Sequence, residues 1–110
     1  MGKIQNLNIS LLGKSGKKYT FDIYTLDTKF NSVGGVYVFI HLHDSLYDLI
    51  YCGQTQDLST RFDNHHKQDC IDSHNATHIC VMRVDSEVKR TEIETDILAN
   101  NYFPCNDVNN

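Results

Sequence analysis

The sequence predicts a small α+β fold, and three observations predict it. Apolar residues alternate with period two around Ile9, Leu11, Tyr19, Phe21 and Ile23, the spacing of half-buried strands. Two further runs, GGVYVFIHL and LIYCG, are rich in β-branched and aromatic residues and lie close together, which suits paired strands. After them, apolar residues recur at helical spacing on either side of a third strand-like run, THICVMRV.

Taken in order, the first segment reads as a β-hairpin turning through GKSGKK. That stretch is no phosphate loop, because it lacks the four-residue gap before a second Gly-Lys-Ser/Thr and no long helix pattern follows it. GGVYVFIHL and LIYCG, joined by the polar HDSLYD, most simply pair antiparallel. A helix is predicted to open at Asp57, whose short carboxylate can cap backbone N–H groups, and to run through LSTRFDNHHKQ. Leu58 and Phe62 share one of its faces and Arg61 and His65 another. A loop through Asp72, Ser73, His74 and Asn75 follows. In THICVMRV, Ile79 and Val81 fall on one face and Cys80, Met82 and Val84 on the other, which predicts a central strand covered on both sides. Asp85 or Ser86 caps a second helix reaching about Asn101, with Ile93 and Ile97 on one side and Arg90 and Glu94 on another. Pro104 stops any continuation. The chain of 110 residues suits one compact unit, divided into a hairpin extension over 1–30 and a main domain over 31–110.

Composition narrows the function classes. Apolar residues make up 40% and charged residues 22%, which argues against disorder. No apolar run approaches the roughly 20 residues that span a bilayer, and MGKIQNLNIS offers no leader-like apolar region. No membrane partner and a cytoplasmic location are therefore expected. In that setting Cys52, Cys70, Cys80 and Cys105, which form no C-x-x-C, are expected to be reduced and mostly buried. His65, His66, Cys70 and His74 invite a zinc reading. They form a single cluster, however, where structural zinc sites usually draw ligand pairs from two knuckles. Net charge is −4, awkward for a nucleic-acid partner. It is unevenly spread: residues 1–30 carry five lysines against two aspartates, net +3, and the remainder is net −7. If a phosphate backbone is gripped, Lys17 and Lys18 lie in the favoured third.

The ordered motifs are more specific. Gly35-Val36-Tyr37 in one strand and Tyr51-Cys52-Gly53 at the end of the next resemble the paired tripeptides that name the GIY-YIG nucleases. Arg61 with His65, then Glu94 within IETDIL, then Pro104 and Asn106, follow in the family's order, so the resemblance covers roughly residues 34–106. Val36 and Cys52 depart from the family isoleucines and are packing residues. The resemblance implies a central three-stranded antiparallel sheet flanked by helices, and an endonuclease that hydrolyses DNA with one Mg²⁺ (or Mn²⁺) per active site. Glu94 would be the metal ligand, and a single carboxylate with waters suits a hard ion. Arg61 would offer a planar fork to phosphate oxygens. Tyr37 would be the general base; a free tyrosine titrates near pH 10, so it would need nearby positive charge or a partner such as His65. Tyr51 would orient water or phosphate, Gly53 would belong to the substrate-binding residues, and Asn106 would fix the local backbone or a catalytic side chain. A dedicated targeting domain is not expected, which leaves room for a protein partner or a dimer. The competing reading is a catalytically silent binding module on the same scaffold; the retained Tyr37, Tyr51, Arg61 and Glu94 argue against it.

Overall fold

A computed structural model describes residues 3–60 and 66–106. Its elements are β1 (Lys3–Leu12), β2 (Lys18–Thr25), β3 (Gly35–His43), β4 (Leu46–Thr55), α1 (Gln68–Ser73), β5 (His78–Arg83) and α2 (Glu87–Leu98). All five strands join one antiparallel sheet in the order β1-β2-β5-β3-β4. The expected three-stranded core with an appended hairpin is thus corrected: the hairpin is continuous with the sheet, because β2 pairs with β5 from Asp22↔Val81 to Thr25↔His78. Pairing satisfies the edge that β5 would otherwise expose. As anticipated, β5 is central and covered on both faces.

Two apolar layers result. On one face Ile9, Phe21, Val38, Cys52 and Cys80 pack with Ile93 and Ile97 of α2 and with Phe103. On the other, Tyr37, Phe39, Ile50, Tyr51, Ile79 and Val81 pack with Leu58, Ile71 and Cys105. A bulge decides which face receives Tyr51. Phe39 pairs with Tyr51 but Ile40 pairs with Leu49, so Ile50 is the extra residue, and both Ile50 and Tyr51 turn to the second layer.

Three local expectations change. HDSLYD is mostly strand, because a two-residue turn at Asp44 and Ser45 suffices, with Asp44 at φ 57°. The helix expected from Asp57 through Gln68 is not found in its described parts, which are turns at 58–60 and 66–67. The Asp57 carboxylate instead accepts from the backbone N–H and hydroxyl of Ser59 in a tight local turn. The helix lies over Gln68–Ser73, where a loop was expected from Asp72. It has no side-chain cap at its start and is held by buried Ile71, by a Gln68–Asp72 side-chain bond and by a crosslink at Cys70. Ser86 caps α2 as anticipated, accepting from the Lys89 N–H.

The cysteines divide. Cys52 and Cys80 are free and buried, as expected, but Cys70 and Cys105 form a disulfide, contrary to the expectation of reduced thiols. The reason is tertiary: α1 sets Cys70 beside the segment after α2, with Cα atoms 5.8 Å apart across 35 residues of sequence.

Candidate functional site

Three successive residues of β4 bring Tyr37, Tyr51, Gly53 and Asn106 of the sequence-predicted site together. Tyr51 is the first, 7% exposed. Its ring centroid lies 6.1 Å from that of fully buried Tyr37 on β3, and 6.2 Å from the His66 ring, edge to face. Gly53 is the third and pairs with Tyr37 across the strands. A Cβ at Gly53 would stand 2.6 Å from the Tyr37 hydroxyl and 3.0 Å from the Tyr51 ring. Only the missing side chain lets that hydroxyl lie against β4.

Cys52, between them, is gripped from outside the sheet. Its backbone N–H donates to the Asn106 side-chain oxygen at 2.8 Å, and its carbonyl accepts from the Asn106 amide at 2.8 Å. The Cys105 N–H donates to the Ile50 carbonyl at 3.0 Å. The segment after α2 therefore runs along the edge of β4 and satisfies groups that a sheet edge leaves open. On its side-chain side, burial pushes the Cys52 thiol up, and the Glu94 carboxylate adds to the shift. Half-buried Glu94 on α2 thus brings its charge close to the same residue.

Arg61 and His65 fall outside the described residues. Lys17, at the hairpin turn, and Lys18, the first residue of β2, are both exposed. Ser15 on that turn donates through its N–H and hydroxyl to Asp96, and Tyr19 donates to the same carboxylate. Asp96 lies about 200° around the helix from Glu94, so the lysine turn packs on a different face of α2.

Arg90 has a role that sequence reading missed. It is 4% exposed, and its guanidinium donates to the Gln54 side chain and to the Val84 and Asp85 carbonyls at 2.9–3.0 Å. A side chain at Gly34 would overlap it. The arginine ties the end of β4 to the start of α2. The signal was present: positions 90, 93 and 97 form one helical stripe, so Arg90 lines up with core isoleucines.

Among the described residues, one group of three could hold a metal through close donor atoms: Cys70, His74 and Cys105. It does not include Glu94. No described helix is long and apolar enough to cross a membrane.

Comparison with curated proteins and with solved structures finds no match. A family model, the GIY-YIG catalytic domain, matches residues 33–99. That span opens just before Tyr37, contains Tyr51, Gly53 and Glu94, and closes one residue after α2. With that match covering more than half of its length, and with the two tyrosines meeting at Gly53, the chain belongs to the GIY-YIG catalytic-domain family, a nuclease-type superfamily.

Proposed function

We propose that the protein is a divalent-metal-dependent endonuclease that hydrolyses DNA phosphodiester bonds. The observation that carries this reading is the packing of the Tyr37 hydroxyl and the Tyr51 ring against Gly53, with the Asn106 amide holding the Cys52 backbone beside them.

Glu94 fits a hard divalent ion such as Mg²⁺ or Mn²⁺: it is a half-buried oxygen donor that can share the ion with water. When bound, the ion supplies charge neutralisation for a phosphoryl oxygen and for the leaving oxygen. The chain's own residues do the remainder. Tyr37 is the candidate to accept the proton of the attacking water with His65 as its partner, Tyr51 to orient that water or a phosphate oxygen, and Arg61 to donate to the non-bridging oxygens. Asn106 acts through the backbone: by clamping both polar groups of Cys52 it fixes the residues on either side, Tyr51 and Gly53. Gly53, Lys17 and Lys18 are proposed to meet the substrate, and a dimer or partner protein to choose where it is cut.

The test is supercoiled plasmid and single-stranded DNA incubated with the protein and Mg²⁺ or Mn²⁺, beside Glu94→Gln and Arg61→Ala. The parent should cleave with metal and stop with a chelator, and each variant should lose at least about 100-fold in rate. No cleavage by the parent, or equal cleavage by both variants, rejects the proposal.

A further inference from the structure

The end of α1 and the segment after α2 place two sulfurs and an imidazole together, at the border of the layer that holds Tyr37 and Tyr51. Cys70 and His74 are four apart on one helical face, and Cys105 arrives from the other segment. His74 Nδ1 lies 3.8 Å from Cys70 Sγ and 3.7 Å from Cys105 Sγ, and all three donor atoms fall within 4.8 Å of one another. Zinc bonds of about 2.3 Å to sulfur and 2.0–2.1 Å to nitrogen, at tetrahedral angles, need sulfur–nitrogen separations of roughly 3.6 Å. Both observed separations stand close to that value.

We propose that Cys70, His74 and Cys105 form a binding site for Zn²⁺ that opens when their disulfide is reduced. A dithiol reductant places two electrons and two protons on the two sulfurs and leaves as its own disulfide. The freed sulfurs then separate to van der Waals contact, near the roughly 3.8 Å that two thiolates on one tetrahedral ion require. Binding Zn²⁺ releases the two thiol protons, and two thiolates with a neutral imidazole balance the ion's charge. In the disulfide form His74 Nδ1 donates to the Cys70 carbonyl at 3.0 Å. Ligation needs the lone pair of that nitrogen, so the ring proton moves to Nε2, which exposed His74 can present to water.

Three protein ligands leave one position for solvent, as in open zinc sites. His74 lines a cleft of about 470 Å³ with Asp48, Tyr102 and Pro104, which gives that position a route to solvent. Whichever bond forms, sulfur to sulfur or sulfur to zinc, it ties α1 to the segment that holds β4 at Ile50 and Cys52. Zinc would thus replace the disulfide as the brace of that segment in a reducing compartment. Buried Cys52 and Cys80 do not compete, since burial holds both thiols protonated.

The test uses the full chain, reduced with excess dithiol, freed of reductant without air and titrated with Co²⁺ followed by Zn²⁺. The expected result is one Co²⁺ per chain with thiolate charge-transfer and tetrahedral ligand-field bands. Stoichiometric Zn²⁺ should erase them and excess Mg²⁺ should not. The oxidised chain should give no such bands, and His74→Ala and Cys105→Ser should each bind about 100-fold more weakly. His74 is exposed, so its variant keeps the test informative if Cys105→Ser does not fold. Absence of the bands in reduced protein, or unchanged affinity in the His74→Ala variant, overturns the proposal.

Discussion

At the scale of single residues, Asn106 illustrates how a side chain can substitute for a strand. Its amide offers one acceptor and one donor in the spacing of a backbone pair, and Cys52 uses both. Asn106→Ala removes both bonds and leaves the Cys52 groups to solvent, at a cost of about 1–3 kcal/mol. Asn106→Asp is the sharper variant. It keeps an acceptor for the Cys52 N–H but sets a second carboxylate oxygen against the Cys52 carbonyl, where a donor is required. At neutral pH it should unfold at a lower temperature than Asn106→Ala despite its closer shape. Acidification that protonates the new carboxyl restores a donor and should narrow the gap. Thermal unfolding of the two variants at neutral and acidic pH checks this, and equal behaviour at both would show that the clamp contributes little.

Arg90 makes the corresponding point for whole elements. One guanidinium reaches a side chain at the end of β4 and two carbonyls before α2, so it sets how the helix bearing Glu94 meets the strand bearing Tyr51. Arg90→Lys keeps the charge but offers one compact head for three acceptors. It should cost about 2–4 kcal/mol by denaturant unfolding, and it should lower the kcat of any cleavage more than it changes KM; a variant within 0.5 kcal/mol of the parent would refute the brace. The elements themselves were legible to different degrees. β3, β5 and α2 could be read because alternation, two-faced apolarity and a serine cap are local signals. α1 could not, since its start has no capping side chain and its stability comes from Ile71 and Cys70 meeting distant partners. The pairing of β2 with β5, 50 or more residues apart, leaves no local trace either. For the site, ordered motifs pointed to Tyr37, Tyr51, Gly53, Glu94 and Asn106. The backbone target of Asn106 and the burial of Arg90 required the fold.

Across the whole molecule, the hairpin is anchored at its turn by one carboxylate. Asp96 accepts from Ser15 twice and from Tyr19 once, and the Lys14 N–H donates to its carbonyl. The Ser15 hydroxyl, then Tyr19 and the Ser15 N–H, with nearby Lys17, hold the Asp96 carboxyl below its ordinary value of 3.8. A depressed carboxylate contributes stability that is present above its unfolded value and is lost as pH falls through its folded one. Asp27 and Asp57, lowered by hydroxyl donors Thr25 and Ser59, add to the same acid limb. His78 acts in a higher window: burial lowers it from 6.5, so the unfolded chain takes up its proton first and stability begins to fall as pH drops below that value. Asp96→Asn separates these contributions. At neutral pH it should melt below the parent, because the neutral amide accepts the Ser15 and Tyr19 bonds less strongly and can use only one oxygen. As pH falls below 3.8 the unfolded parent takes up the Asp96 proton first, and the advantage is lost as pH falls through the lower folded value, so the two melting curves should converge. The His78 decline, by contrast, should be equal in both. Melting temperatures measured from pH 7 to 2.5 decide it, and curves that stay parallel throughout would mean that Asp96 does not fasten the hairpin to the helix.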